Sequence, residues 1–193
     1  MYTKGYIFNL ALDRIGSTVE VRSAGDDTVE FRVCEREYAP ALSRVLNLYP
    51  WTCCRKRIAL PRLADAPAFG WTYAYKLPED YIQLVSIEEK EEYQIEGGAI
   101  LTNAASCRIV YITGNVLAEN LAPHVADLVV LELAKRIVSP LTTSGTQRVQ
   151  QMLQEMWQDA YPAAMATEVQ SGFNRKRGSL FGEPRSTLRG IIE

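Results

Sequence analysis

The sequence predicts an α+β protein, mainly α: a four-helix bundle with an inserted small antiparallel β module and an extended C-terminal tail. Three observations lead there. Apolar residues recur at spacings of three and four in four separate stretches. Between the second and third stretch, from Trp51 to Tyr111, that period gives way to short β-branched and aromatic runs punctuated by Gly and Pro. After the fourth stretch no period remains. The expected organisation is a first bundle half at 1–50, the β module at 51–115, a second bundle half at 116–167, and the tail at 168–193.

The first helix is expected over 3–15. Thr3 is its cap, Ile7, Leu10, Ala11 and Ile15 its stripe, and Gly16 its stop. The second begins where Asp27 and Glu30 form a capping-box pattern and runs through Phe31, Cys34, Tyr38, Ala41, Leu42 and Val45. Pro40 falls inside it and is expected to kink or split it, because proline removes a backbone donor and crowds the preceding turn. In the β region, "WTCCRKRIAL", "WTYAYKL", "YIQLVSIEE", "EYQIE", "AILTN" and "CRIVYIT" read as strands. Gly97-Gly98 joins two alternating runs and predicts a two-residue hairpin turn with positive φ at both positions. The third helix is expected from about Asn120, apolar on most of its circumference, hence central to the bundle, and ending at Ser139-Pro140. A Ser144–Gln147 capping box opens the fourth, which continues to about Ala166 with a kink at Pro162.

At 193 residues, 47% hydrophobic and 23% charged, the chain is long and apolar enough to build a core. A net charge of −2 gives no reason to expect a nucleic-acid binder. The charge is uneven: residues 171–193 hold Arg175, Lys176, Arg177, Arg185 and Arg189 against Glu183 and Glu193. The N-terminus lacks the pattern of a signal peptide, and no apolar run reaches the ~18 residues of a membrane span. Cys34, Cys53, Cys54 and Cys107 lack a zinc spacing and read as free, mostly buried thiols; a zinc site would need a tertiary coincidence.

Candidate chemistry is sparse. No nucleotide-binding glycine loop, nucleophile elbow or zinc-protease signature is present, and no cofactor is expected. His124 is the single histidine and reads as a capping or surface residue near a helix start. Glu79-Asp80 and the Glu88, Glu89, Glu91, Glu92 cluster supply carboxylates, but a glycosidase needs two of them facing across a cleft, one with a raised pKa. The glutamate run reads as a solvated strand end and turn. Arg55, Lys56 and Arg57 beside Trp51 form a basic-aromatic stretch. On a strand only two of the three point together, which suits a channel lining or partner surface better than sequence readout.

The ordered series "LYPWTCCRKRIAL", "WTYAYKLPEDYIQLVSI", "YQIEGGAILTNAASCRIVYI" and "LAPHVADLVVLELAKRIVSPLTTSGTQRVQQMLQEMWQDAYPAAMATEVQS" resembles the head–tail connector family of short-tailed bacteriophages, the adaptor or tail tubular protein A. The resemblance covers roughly residues 3–170. It implies a structural protein of the virion, made in the host cytoplasm. It implies a ring of about twelve copies beneath the portal protein, joined to a tail nozzle protein resembling tail tubular protein B. It also implies transient, non-specific contact with DNA in the exit channel, and no membrane partner. Cell-wall (peptidoglycan) hydrolysis is the alternative activity that the resemblance leaves open. In the tail, Phe173, Leu180 and Phe181 lie among Arg175, Lys176 and Arg177. Sparse apolar anchors between basic residues suit a segment that orders on docking, and the resemblance makes the portal its partner.

Overall fold

The computed structural model describes residues 2–21, 28–89, 91–142 and 145–177, with side chains as far as 170. Two helices, α1 (Lys4–Arg14) and α2 (Val29–Leu48), precede six strands: β1 (Arg55–Ala59), β2 (Tyr73–Lys76), β3 (Tyr81–Ile87), β4 (Tyr93–Glu96), β5 (Ala99–Thr102) and β6 (Arg108–Thr113). Helices α3 (Pro123–Leu141) and α4 (Thr146–Arg177) follow.

Local signals account for most of the termini. Thr3 Oγ1 accepts from Tyr6 N, and the far end of α1 closes with Ser17 N donating to Leu12 O and Gly16 N to Asp13 O. That pair of bonds is the Schellman arrangement, and it needs the φ of +77° that Gly16 supplies without strain. α2 is capped by Thr28, whose Oγ1 accepts from Phe31 N; the expected cap, Asp27, lies outside the described residues. Pro40 neither ends nor splits α2. Tyr38 on one side of it and Ala41, Leu42 and Val45 on the other are all buried, so packing holds the helix through the missing hydrogen bond. α3 starts later than expected, with Pro123 in the first-turn position where a missing N–H costs nothing. Pro140 lies inside its last turn rather than after it. Of the capping box expected for α4, Ser144 lies outside the described residues.

The helices do not form the four-helix bundle expected from the sequence. α3 is the hub, and α1, α2 and α4 each pack on it, whereas α1 and α2 meet only marginally. The remaining flank of the core is sealed by the β region: Ile112 is buried in it, and Ile82 and Val85 pack against it. The apolar circumference of α3 shows that it is surrounded, but it carries no information on whether a helix or a sheet surrounds it. The extended tail also needs correction at its start. α4 runs on to Arg177, so residues 168–177 are helical. Its later turns lack an apolar period, yet Ala164 and Glu168 are buried and anchor them.

The β module is antiparallel, as expected, but comprises two three-stranded sheets, ordered β1-β6-β3 and β2-β5-β4. Gly97 and Gly98, at φ +56° and +78°, make the two-residue turn between β4 and β5. A second core of Leu60, Tyr75, Leu77, Ile100, Cys107, Ile109 and Tyr111 lies between the sheets. Alternation along β6 divides its side chains: Ile109 and Tyr111 enter this second core, and Ile112 enters the helical one.

Candidate interaction surface

The passage from α2 into β1 is fixed before any surface is presented. Trp51 is fully buried, its Nε1 donates to Val45 O at 2.9 Å, and its ring lies 5.0 Å from that of Tyr49. Glu168, from α4, locks the same place. Its Oε1 accepts from Thr52 N at 2.6 Å and its Oε2 from His124 Nε2 at 2.9 Å. Burial alone would raise the Glu168 pKa; the hydrogen bonds from Thr52 and His124 outweigh it and hold it below the usual value. Thus His124, read as a capping or surface residue, ties α3 to α4. Beside it, Cys53 and Cys54 have sulfurs 3.5 Å apart. Donation from the Cys54 thiol, against the effect of burial, draws the Cys53 thiol down to about 7, while Cys54 is pushed up. Cys34, Cys54 and Cys107 are buried free thiols and Cys53 is partly so. Among the described residues no cluster of His, Cys, Asp or Glu is placed to hold a metal ion, and no helix is long and apolar enough to cross a membrane.

A second anchor, Asp80, fixes the middle strand of the first sheet to its edge. Its carboxylate accepts from Lys56 Nζ at 2.8 Å, Thr113 Oγ1 at 2.7 Å and Tyr111 Oη at 3.0 Å. These bonds, Lys56 first, hold its pKa at about 2. A general acid for glycoside hydrolysis needs the opposite shift. Glu89 is similarly engaged, accepting from Arg108 N, Arg108 Nε and Ser106 Oγ. Glu88 pairs with Arg108 at 3.2 Å. Part of the glutamate run is therefore structural rather than solvated.

The basic stretch Arg55, Lys56, Arg57 forms most of β1, an edge strand exposed along its whole length. The register pairs Arg55 with Ile112 and Arg57 with Val110, on one face, and Lys56 with Tyr111, on the other. Arg55 donates twice to Pro50 O, and Lys56 is held by Asp80. Arg57 faces an open groove of about 480 Å³ lined also by Ser86, Glu88, Arg108 and Val110. In the predicted docking segment, Phe173, Arg175, Lys176 and Arg177 belong to the last turns of α4, and Leu180 and Phe181 lie outside the described residues.

The sequence reading passed over residues 61–70, and its strand from Trp71 begins only at Tyr73. Leu63 N donates to Ala74 O and Lys76 N to Pro61 O, so residues 61–63 cover the outer edge of β2. Thr72 N and Oγ1 both donate to Asn103 Oδ1, fixing the return of the loop. Between these ties Phe69 is 87% exposed. It borders a groove shared with Trp71, Ala74, Gln94, Glu96 and Leu101. The signal was present as Phe69 between Ala66-Pro67-Ala68 and Gly70, a large apolar residue set among turn formers.

This geometry defines a presenting module: a braced sheet pair that displays edges and an apolar loop. The chain matches no family model and no curated protein.

Proposed function

We propose that the protein is a structural head-to-tail adaptor of a bacteriophage, forming a ring between the portal and the tail nozzle and lining the DNA exit channel. The observation that carries this reading is a β module built to present surface. Its half-buried carboxylates Asp80 and Glu89 are consumed in holding strands together, while β1, β4 and Phe69 stand exposed. Large exposed apolar residues suit protein partners. The order, two helices, a β module and two helices, is the one read from the stretches that carry the adaptor resemblance. In this reading Phe173, Arg175, Lys176, Arg177, Leu180 and Phe181 dock on the portal, and Arg55, Lys56 and Arg57 belong to a partner or channel surface.

The test is attachment. Incubated with purified portal rings, the full chain should form connectors with about twelve copies in electron micrographs. Removing residues 171–193 should abolish attachment while the helical circular-dichroism signal loses only the last turns of α4. Undiminished portal binding by the truncated chain would move the anchor elsewhere. Failure of the full chain to bind portal would refute the adaptor reading.

A further inference from the structure

The two sheets have four outer edges, and the chain covers two of them. β2 is covered by residues 61–63. β3 is braced against α2, with Gln83 Nε2 donating to Leu46 O at 2.9 Å. β1 and β4 are left, and among the described residues nothing pairs with their outer sides. An open edge offers a row of unsatisfied backbone donors and acceptors and normally needs a defence.

The two open edges carry opposite charge. β1 presents Arg55, Lys56 and Arg57. β4 and its flanks present Glu91, Glu92 and Glu96, all exposed, with Tyr93 and Ile95 also open to solvent. Among the described residues no ion pair engages these three glutamates. Self-repulsion opposes pairing of β1 with β1, or of β4 with β4, which are the symmetric contacts of a two-fold dimer. Pairing of β1 with β4 is favoured instead. That contact joins two different patches and so can repeat from copy to copy around a ring. The strand lengths are compatible, five residues in β1 and four in β4. So short a ladder is too small to hold a stable interface unaided. Phe69 lines a groove that crosses one face of the second sheet to Gln94 and Glu96 of β4, and supplies an apolar anchor on that face.

We infer that the β1 edge of one copy pairs with the β4 edge of the next, with the face of β1 that carries Arg55 and Arg57 set beside the face that carries Glu92, Gln94 and Glu96, and Phe69 packed against the neighbour, so that adjoining copies share a sheet by strand addition. This rests on the ring reading above and deepens it by naming the contact between copies.

Charge reversal tests it. The full chain is examined by sedimentation at low ionic strength, where surface charge is least screened. Wild type should self-associate. R57E and E92K should each weaken association about tenfold, because each places like charges across the contact. The double variant R57E/E92K, with both edges reversed in every chain, should recover it. F69S should weaken it as well, and circular dichroism should show all four variants folded. Self-association unchanged by R57E and E92K would overturn the edge contact while leaving the ring reading intact. So would recovery failing in the folded double variant. A wild type that stays monomeric at low salt also overturns it, and the ring reading is then judged by attachment to portal. If R57E instead releases double-stranded DNA without altering association, β1 is a channel lining and the inference is wrong.

Discussion

The helical core and the β module treat their surfaces differently. Around α3 nearly everything apolar is enclosed: Val125, Leu128, Val129, Leu133, Ile137 and Val138 are buried against α1, α2, α4 and the inner face of the first sheet. The β module encloses a smaller core, leaves two strands exposed along their whole lengths, and sets Phe69 out in solvent. The first region encloses its apolar surface, and the second leaves part of its own open. Because sheet and helices share Ile112, Ile82 and Val85, the display surface inherits the rigidity of the core. An exposed edge on a rigid base suits repeated docking, since little conformational entropy is lost on binding.

The comparison breaks first at Leu128. It is fully buried, and Leu128→Ala should cost about 2–5 kcal/mol in chemical denaturation, through lost transfer energy and a cavity. A change within about 0.5 kcal/mol, the size expected of a surface site, would mean α3 is not the hub.

Asp80 tests the join between the regions. Its carboxyl is held down at about 2 and its side chain is 23% exposed. A depressed pKa in the folded state contributes stability that is present above the unfolded value near 4 and lost as pH falls toward 2. Asp80→Asn should therefore cost on the order of 2 kcal/mol near neutral pH and flatten the decline in stability between about pH 4 and pH 2. Denaturation curves across that range, for both proteins, decide it. Parallel acid limbs would show that the Lys56, Thr113 and Tyr111 bonds do not stabilise the fold.

The smallest effect is expected at the hairpin. A methyl group on Gly98 would meet nothing within 4 Å, so the cost of Gly98→Ala comes from its φ of +78° alone. About 1–2 kcal/mol is expected. Amide exchange should quicken in β4 and β5 while the α3 amides stay protected. Equal acceleration in both would show that the module and the core open together rather than as separate units.

Much of the local structure was legible. Thr3 and Gly16 bound α1, and Gly97-Gly98 makes the hairpin that two adjacent glycines between alternating runs predict. The alternation of Arg55, Lys56 and Arg57 across the faces of β1 follows from the period of a strand, and the central place of α3 from its apolar circumference. Each of these depends on residues a few positions apart, so sequence spacing contains the information. Two expectations failed, and the split allowed at Pro40 did not occur, where residues beyond the local pattern intervene. Pro40 stays within a helix because buried neighbours on both sides hold it. α4 continues past its apolar period because Glu168 finds Thr52, 116 residues earlier, and His124, 44 residues earlier. The regular four-helix bundle is absent because α1, α2 and α4 each pack on α3 while α1 and α2 barely meet, and the first sheet, with β3 against α2, closes the remaining flank of the core.

By itself, then, the sequence determined the order of helices and strands, the hairpin, the chief core helix and the alternating faces of β1, because backbone preference and burial period act over one or two turns. Tertiary structure alone decided what the carboxylates do and which edges stay open. Asp80 becomes a strand clamp through Lys56, Tyr111 and Thr113, residues 24, 31 and 33 positions away. β2 is covered and β4 is not because residues 61–63 fold back on one of them. Such contacts depend on which surfaces meet after the chain has closed long loops, and spacing along the chain does not encode that meeting.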